Sequence, residues 1–272
     1  MAALETSSES SLAPMTTPAT LPNLSADAIT IGYPRRTLAT DISFGINSGA
    51  ALAILGPNGS GKTTLFRTLL GLLPVKAGNL TIGGRDISHM SPPDIARQIA
   101  YVPQITSGFF NFNVIEVLEM ARAPHLAWYA KPGPHDREIA MRALAQLNIA
   151  EFAYREFAEL SGGERQLVMV ARALASEARI ILLDEPTASL DFGNRLMILD
   201  TIVKLKHAGV AIIFATHDPD QAYRICGDST DSTMTISRTG KFSIGASTNL
   251  LTKSALAALY GVAESAIPAF HL

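Results

Sequence analysis

"AALAILGPNGSGKTTLFRTLLGLL", residues 50–73, is the stretch whose reading decides the fold. Its opening, Ala50 to Gly56, is apolar on both faces, as a strand buried in a parallel sheet is. Gly56 to Thr63 then fits G-x-x-x-x-G-K-[ST], and a helical pattern follows as far as Pro74. Buried strand, glycine loop and helix together predict a phosphate cradle. In it, Gly56, Pro57, Asn58, Gly59, Ser60 and Gly61 curl so that backbone N–H groups face phosphate oxygens. The start of the helix, through Thr64, adds its positive end. Lys62 would place a point charge at the β- and γ-phosphates, and the Thr63 hydroxyl would ligate Mg²⁺.

Outward from this stretch, "AITIGY" (28–33), "DISFGINSG" (41–49), "GNLTIGGRDI" and "IAYVPQ" read as strands. From about residue 105 to 178 strand signals vanish. "NVIEVLEMARA", "DREIAMRALAQLNIA" and "GGERQLVMVARALASEA" carry helical periodicity, with the loop "APHLAWYAKPGPHD" between the first two. This block predicts a helical subdomain inserted into an α/β domain spanning 22–272. Strands resume with "RIILLDEP" (179–186) and "GVAIIFATHD" (209–218), joined by the helix "NRLMILDTIVKLKHA". "STMTISRTGKFSIGA" suggests a hairpin and "KSALAALYGV" a short final helix.

The apolar run "IILL" carries its strand through the core, so Asp184 emerges at the carboxyl end, the edge where the glycine loop lies. There Asp184 can reach the metal. Glu185, one residue on, could orient or deprotonate an attacking water; a helix-capping acidic pair is the other reading of Glu185 taken alone. His217 ends "AIIFATHD" at the same edge, placed for a γ-phosphate contact, although a single histidine is often structural. Gln104 ends "YVPQ", where a neutral amide could touch Mg²⁺ and the water.

"LSGGERQ", residues 160–166, is a second glycine-rich stretch. Ser161 with Glu164 three residues later makes a capping box, and Gly162 and Gly163 leave backbone N–H groups uncovered. A helix of about 15 residues, roughly 22 Å, follows and leads back into the "IILL" strand. Its N-terminus therefore falls at the nucleotide edge, an anion site displaced from the first. Glycines serving only close packing are the other reading of the same residues.

The chain has 272 residues, a net charge of −2 and one cysteine, Cys226. No basic tail or dense Lys/Arg stripe suggests nucleic acid. A single cysteine excludes an internal disulfide framework and fits a reducing compartment. No apolar run approaches the ~18–20 residues that cross a bilayer. "MAALETSSESSLAPMTTPAT" lacks the basic start and apolar stretch of a secretory signal, and reads as a disordered tail over 1–21. These features predict a cytoplasmic protein that meets a membrane only through a partner.

Together the motifs resemble the ATP-binding subunits of ABC transporters. "GPNGSGKTT" resembles the Walker A motif, "YVPQ" the Q-loop, "LSGGERQ" the family signature and "IILLDEP" Walker B. "SLD" (189–191) resembles the D-loop and "ATHD" the H-loop. The resemblance implies a P-loop NTPase core of the ABC ATPase type, with a mixed sheet, an N-terminal antiparallel β portion and the helical insertion. It also implies a head-to-tail dimer in which Ser161, Gly162 and Gly163 of one copy cover ATP held by the other, while Asp191 links the two sites. Tyr33, by composition alone a strand residue, matches the aromatic that stacks on adenine. Glu185, His217 and Gln104 take the catalytic positions, and Thr63, Gln104 and Asp184 those near Mg²⁺.

Looser likenesses in "FFNFNVIEVLEMARAPHL", "HDPDQAYRIC" and "LLTKSALAALYGV" are to the importers of iron–siderophore complexes, haem and cobalamin. Such a branch implies a separate membrane permease, a periplasmic or lipoprotein substrate-binding protein, and a place at the cytoplasmic face of the membrane. Phe109, Phe110 and Phe112 form either a docking patch for the permease or part of the helical core. "CGDSTDSTMTISRTG" (226–240) departs from the family's more apolar strand. A soluble ABC-type ATPase, such as an iron–sulfur assembly factor, is the rival reading; a P-loop kinase leaves "LSGGERQ" without a role.

Overall fold

Two kinds of strand pattern in the sequence become two sheets. The structure, a computed structural model, describes residues 22–104, 111–127, 129–188 and 190–268. The expected tail over 1–21, Phe109, Phe110 and Ser189 lie outside the described residues. Strands β1 (Leu24–Tyr33), β2 (Arg36–Ile46), β3 (Ala51–Leu55), β4 (Ala77–Ile82) and β5 (Arg85–Asp86) open the chain, with helix α1 (Lys62–Leu69) between β3 and β4. Helix α2 (Pro92–Ala96) and strand β6 (Ile99–Val102) follow. Next come α3 (Val114–Glu119), α4 (Pro134–Gln146) and α5 (Gly162–Ala175). The last third holds β7 (Ile180–Asp184), α6 (Phe192–His207), β8 (Ala211–Thr216), α7 (Pro219–Ile225), β9 (Ser232–Ile236), β10 (Phe242–Gly245), α8 (Ser247–Leu250) and α9 (Lys253–Tyr260).

One sheet has the order β2-β1-β4-β5 and is antiparallel throughout. The other runs β10-β9-β3-β8-β7-β6, parallel except for the terminal hairpin. The doubly apolar runs of β3, β7 and β8 follow from this placement, because both faces of the second sheet are covered. Leu52, Ile54, Leu182 and Ile213 pack toward β1, β2, β4 and α1. Ala53, Leu55, Leu183 and Phe214 pack toward α3 to α7 and α9. Each fully buried Leu, Ile or Phe contributes about 1.5–3 kcal/mol relative to exposure. Between β6 and β7 the described residues form helices and turns and a single isolated bridge, Asn113 to Glu156.

Two expectations of detail change. Helix α1 stops at Leu69 and does not run to Pro74. Gly71, at φ +69°, takes the left-handed turn, Leu72 N–H reaches the Arg67 carbonyl at 2.8 Å and Gly71 N–H that of Thr68 at 3.0 Å. That is the glycine-terminated cap that ends many helices, acting before the proline. In the atypical stretch after Cys226, β9 still enters the core, with Thr233, Met234 and Ile236 fully covered and Ser232 and Thr235 half-buried. Thr233 hides its hydroxyl on Ser247 Oγ at 2.7 Å. Asp231, also covered, accepts Ala51 N–H at 2.8 Å and meets Lys206 Nζ at 2.7 Å. The polar residues there fasten β9 to the strand that feeds the glycine loop.

Candidate functional site

Strands β3, β8, β7 and β6 lie side by side and parallel, so their carboxyl ends form one edge. That is where open α/β sheets build sites. β3 delivers the glycine loop, β7 Asp184 and Glu185, and the segments after β8 and β6 deliver His217 and Gln104. A cleft of 470 Å³ gathers Tyr33, Asn58, Gly59, Ser60, Gly61, Lys62, Thr63, Thr64, Gln104, Asp184, Glu185 and His217. Gly56 and Pro57, which open the loop, are not among its lining residues. The Gly56 carbonyl accepts from Lys62 Nζ at 2.6 Å and that of Pro57 from Ser60 N–H at 3.1 Å.

The glycine loop needs glycine for two reasons. Gly61 sits at φ +110° as the residue before α1, a conformation other residues avoid. A Cβ on Gly56 would lie 2.2 Å from the Ile236 carbonyl oxygen. Within the loop Ser60 Oγ is buried with no hydrogen-bond partner among the described residues, a donor left for a ligand oxygen. Burial pulls the Lys62 ammonium below the ordinary lysine value, and the Glu185 and Asp184 carboxylates oppose that pull.

In a regular strand, neighbours face opposite sides, yet Asp184 and Glu185 both line the cleft. Glu185 adopts φ +52°, a left-handed turn held by its N–H on the Ala215 carbonyl at 3.0 Å. This strained residue breaks the alternation and turns the second carboxylate to the same side, as strain at functional positions often does. Glu185 Oε2 lies 2.7 Å from His217 Nδ1 and Oε1 3.9 Å from Lys62 Nζ. An ionised carboxylate can only accept, so Nδ1–H donates. Thr63 Oγ1 is 3.4 Å from Asp184 Oδ2.

Three more residues bear on the site without a role in the motif readings, Tyr101 among them although it opens "YVPQ". Tyr101 donates to Asp184 Oδ2 at 3.2 Å, and its phenol is pushed up to about 12 by burial and by the Asp184 charge, so it stays a donor. Arg67 donates to Tyr33 Oη at 3.2 Å and tethers the exposed ring. Arg36 lines the cleft. Nothing in the sequence around Tyr101 marks this bond, because Asp184 lies 83 residues further along the chain.

Ser161, Gly162, Gly163 and Asp191 do not line this cleft. Ser161 caps α5 in the expected box: Glu164 N–H to Ser161 Oγ at 3.3 Å, and Ser161 N–H to Glu164 Oε2 at 2.7 Å. The two glycines differ. Gly162 is exposed, with none of the described residues within 4 Å of where a Cβ would stand. Gly163 is buried, and its Cβ would meet the Asn194 carboxamide at 2.4–2.7 Å. Asn194 in turn donates its N–H and Nδ2–H to the Asp191 carboxylate at 2.8 and 2.7 Å. The starts of α5 and α6 are thus packed together through one side chain, and the Asp191 carboxylate caps its own helix.

Fold and cleft define an α/β P-loop NTPase. A family model for ABC transporters matches residues 39–188. An uncharacterized ABC transporter ATP-binding protein of Haemophilus influenzae is 40% identical over 87% of this chain and 89% of its own length. The molybdate import ATP-binding protein MolC of the same organism is 37% identical over 82% and 81%. The iron(3+)-hydroxamate import ATP-binding protein FhuC of Bacillus subtilis is 36% identical over 74% and 76%. Among solved structures, a chain described as belonging to a metal-chelate type ABC transporter in an inward-facing conformation superposes with a TM-score of 0.77. It is 36% identical and covers 87% of this chain and 88% of its own. The ADP conformation of another ATP-binding cassette, 24% identical, shares the fold at a TM-score of 0.74, covering 85% and 95%. The chain belongs to the ABC transporter family, as an ATP-binding subunit of the ATPase that powers transport.

Proposed function

We propose that the chain binds ATP with Mg²⁺, pairs head to tail with a second copy and hydrolyses ATP to drive import of a metal chelate of the iron–siderophore, haem or cobalamin type. A separate permease forms the membrane path, fed by a substrate-binding protein, and this subunit lies peripherally on its cytoplasmic side. The observation that carries the hydrolytic part is the convergence of Lys62, Thr63, Gln104, Asp184, Glu185 and His217 in one cleft. The hard oxygen donors of Thr63, Asp184 and Gln104 suit Mg²⁺, which keeps few protein ligands and is shared with substrate phosphates. Among the described residues no cluster of three or more His, Cys, Asp or Glu forms a dedicated cage. When bound, the ion would neutralise phosphate charge.

Lys62 holds the β- and γ-phosphates, with the unpartnered Ser60 hydroxyl and the loop amides around them, and Tyr33 stacks on adenine. Glu185, poised between Lys62 and His217, takes the proton of the attacking water. His217 touches the γ-phosphate and stabilises the charge that develops there. Ser161, Gly162 and Gly163 at the start of α5 offer donors to the nucleotide of the second copy, with Gly163 also setting the helix against α6 and Asp191 at the contact between copies. Import is supported by the relatives that share most of this chain, and the molybdate importer among them widens the cargo range to a metal oxyanion. Phe112 is 39% exposed, which leaves its ring free to meet a permease. Among the described residues no helix is long and apolar enough to cross a membrane.

The test of the site is Glu185→Gln. ATP binding is retained, turnover falls by about 100-fold or more, and ATP shifts the protein to a dimer in size-exclusion chromatography. Hydrolysis at the native rate would remove Glu185 from its role. For the cargo, the subunit reconstituted with its co-purifying permease is assayed for ATPase stimulation by binding protein loaded with a ferric hydroxamate, haem or cobalamin. Stimulation confined to molybdate would move the cargo to the oxyanion class.

A further inference from the structure

His217 stands on the wall of two cavities. One is the nucleotide cleft; the other, of 600 Å³, is lined by Thr187, Arg195, Gln221, Leu256, Tyr260 and Ile267 among others. The bonds that shape the loop around His217 mostly involve its neighbours. Thr216 Oγ1 accepts Asp218 N–H and donates to Gln221 Oε1, both at 3.1 Å. Asp218 caps α7 by accepting from Asp220 N–H at 3.0 Å and from Gln221 Nε2 at 3.1 Å. The His217 carbonyl itself accepts from Tyr260 Oη at 3.1 Å, across 43 residues of sequence. One residue is therefore gripped twice, by its main chain from the C-terminal helix and by its ring from Glu185.

Tyr260 is firmly mounted. It ends α9, which is pinned to the core by Leu256 at 0% and Ala257 at 9% exposure. Gly261, in the left-handed conformation at φ +69°, closes the helix with its N–H on the Ala257 carbonyl at 2.9 Å. The chain then folds back so that Ile267, 9% exposed, joins the same core and the same cavity. Burial, with the Glu185 and Asp218 charges, pushes the phenol up to about 12, so it remains a donor throughout the working range.

We propose that Tyr260 is a positioning residue for ATP hydrolysis: its hydroxyl fixes the His217 main chain so that the imidazole is held on Glu185 and faces the γ-phosphate. The inference rests on the roles assigned above to Glu185 and His217. Its test is Tyr260→Phe in the full chain, which keeps the ring and its packing. The expected result is a fall in kcat of about fivefold, the scale of one hydrogen bond lost, with KM for ATP within about twofold of native and the melting temperature lowered by no more than about 4 °C. A loss through His217 is non-additive. His217→Ala lowers kcat by itself, and adding Tyr260→Phe to it costs nothing more. Native kcat in Tyr260→Phe overturns the proposal, as does the same fivefold loss in both backgrounds, or a loss that comes with a melting temperature lowered by more than about 4 °C or a KM raised beyond about twofold. Native turnover in His217→Ala would instead strike out the site assignment, and the role of Tyr260 with it.

Discussion

Replacing Lys206 by Met removes the cation on which the atypical 226–240 segment is built. Lys206 is 2% exposed, and its ammonium meets Asp231 at 2.7 Å, Asp228 at 2.8 Å and the Ile225 carbonyl at 2.8 Å. Burial alone would lower its pKa, but the bonds to the two aspartates outweigh that and raise it. Breaking one side of a buried pair typically costs about 3–5 kcal/mol. Asp231 would keep the Ala51 and Asp228 N–H groups at 2.8 and 2.9 Å, which argues for the lower end. At about 2–4 °C per kcal/mol for a chain of this size, a loss of about 3 kcal/mol lowers the melting temperature by about 6–12 °C. A raised lysine pKa stabilises below its unfolded value of about 10.4 and is lost as pH climbs through the folded value. The Asp228 pKa is depressed, chiefly by its hydrogen bond to Lys206, so its share is present above about 3.9 and lost on acidification through the folded value. The difference between wild type and Lys206→Met should therefore be flat from about pH 5 to 9 and shrink in acid. Thermal melts followed by circular dichroism across that range decide the matter. A shift under about 2 °C, or one that grows on acidification, refutes the reasoning.

Three further outcomes separate packing from chemistry. Gly163→Ala forces the Asn194 carboxamide off Asp191 and should cost about 1–2 kcal/mol in urea unfolding, whereas Gly162→Ala, with open space around it, should leave stability within about 0.5 kcal/mol and lower only ATPase turnover. Tyr33→Ala should weaken ATP binding by about tenfold, in line with base–aromatic stacking of about 1–3 kcal/mol, while Tyr33→Phe, which loses only the Arg67 tether, keeps most of the affinity in equilibrium titration. Cys226 is 6% exposed, and burial pushes its thiol up to about 12, so iodoacetamide at pH 8 should label it in urea but not in the native protein.

The parts of this molecule that were legible in the sequence are those where one local pattern fixes one local structure. A doubly apolar run such as "IILL" can be accommodated only in a sheet covered on both faces, and β7 is that. The glycine loop, the Ser161 capping box and the strand-end positions of Asp184, His217 and Gln104 follow from residues adjacent in the chain. What stayed hidden is long-range. Tyr101 reaches Asp184 across 83 residues and Asp231 reaches Ala51 across 180, with no periodicity to announce either bond. The left-handed turn at Glu185 was equally silent, since a carboxylate after a strand carries no mark of a positive φ.

"LSGGERQ" shows why composition and role can part within two residues. Gly162 and Gly163 are the same residue on the same first turn of α5, and either could have been the bare donor or the packing contact. Successive helix positions differ by about 100° around the axis, so only one of the two can face a given neighbour. α6 lies on the Gly163 side and Asn194 fills the space a side chain would need; the opposite direction is left open at Gly162. The motif therefore presents an open face at Gly162 and a packed joint between α5 and α6 at Gly163. Because Asn194 also holds the Asp191 carboxylate, anything that displaces the start of α5 must move against the start of α6, one side chain away.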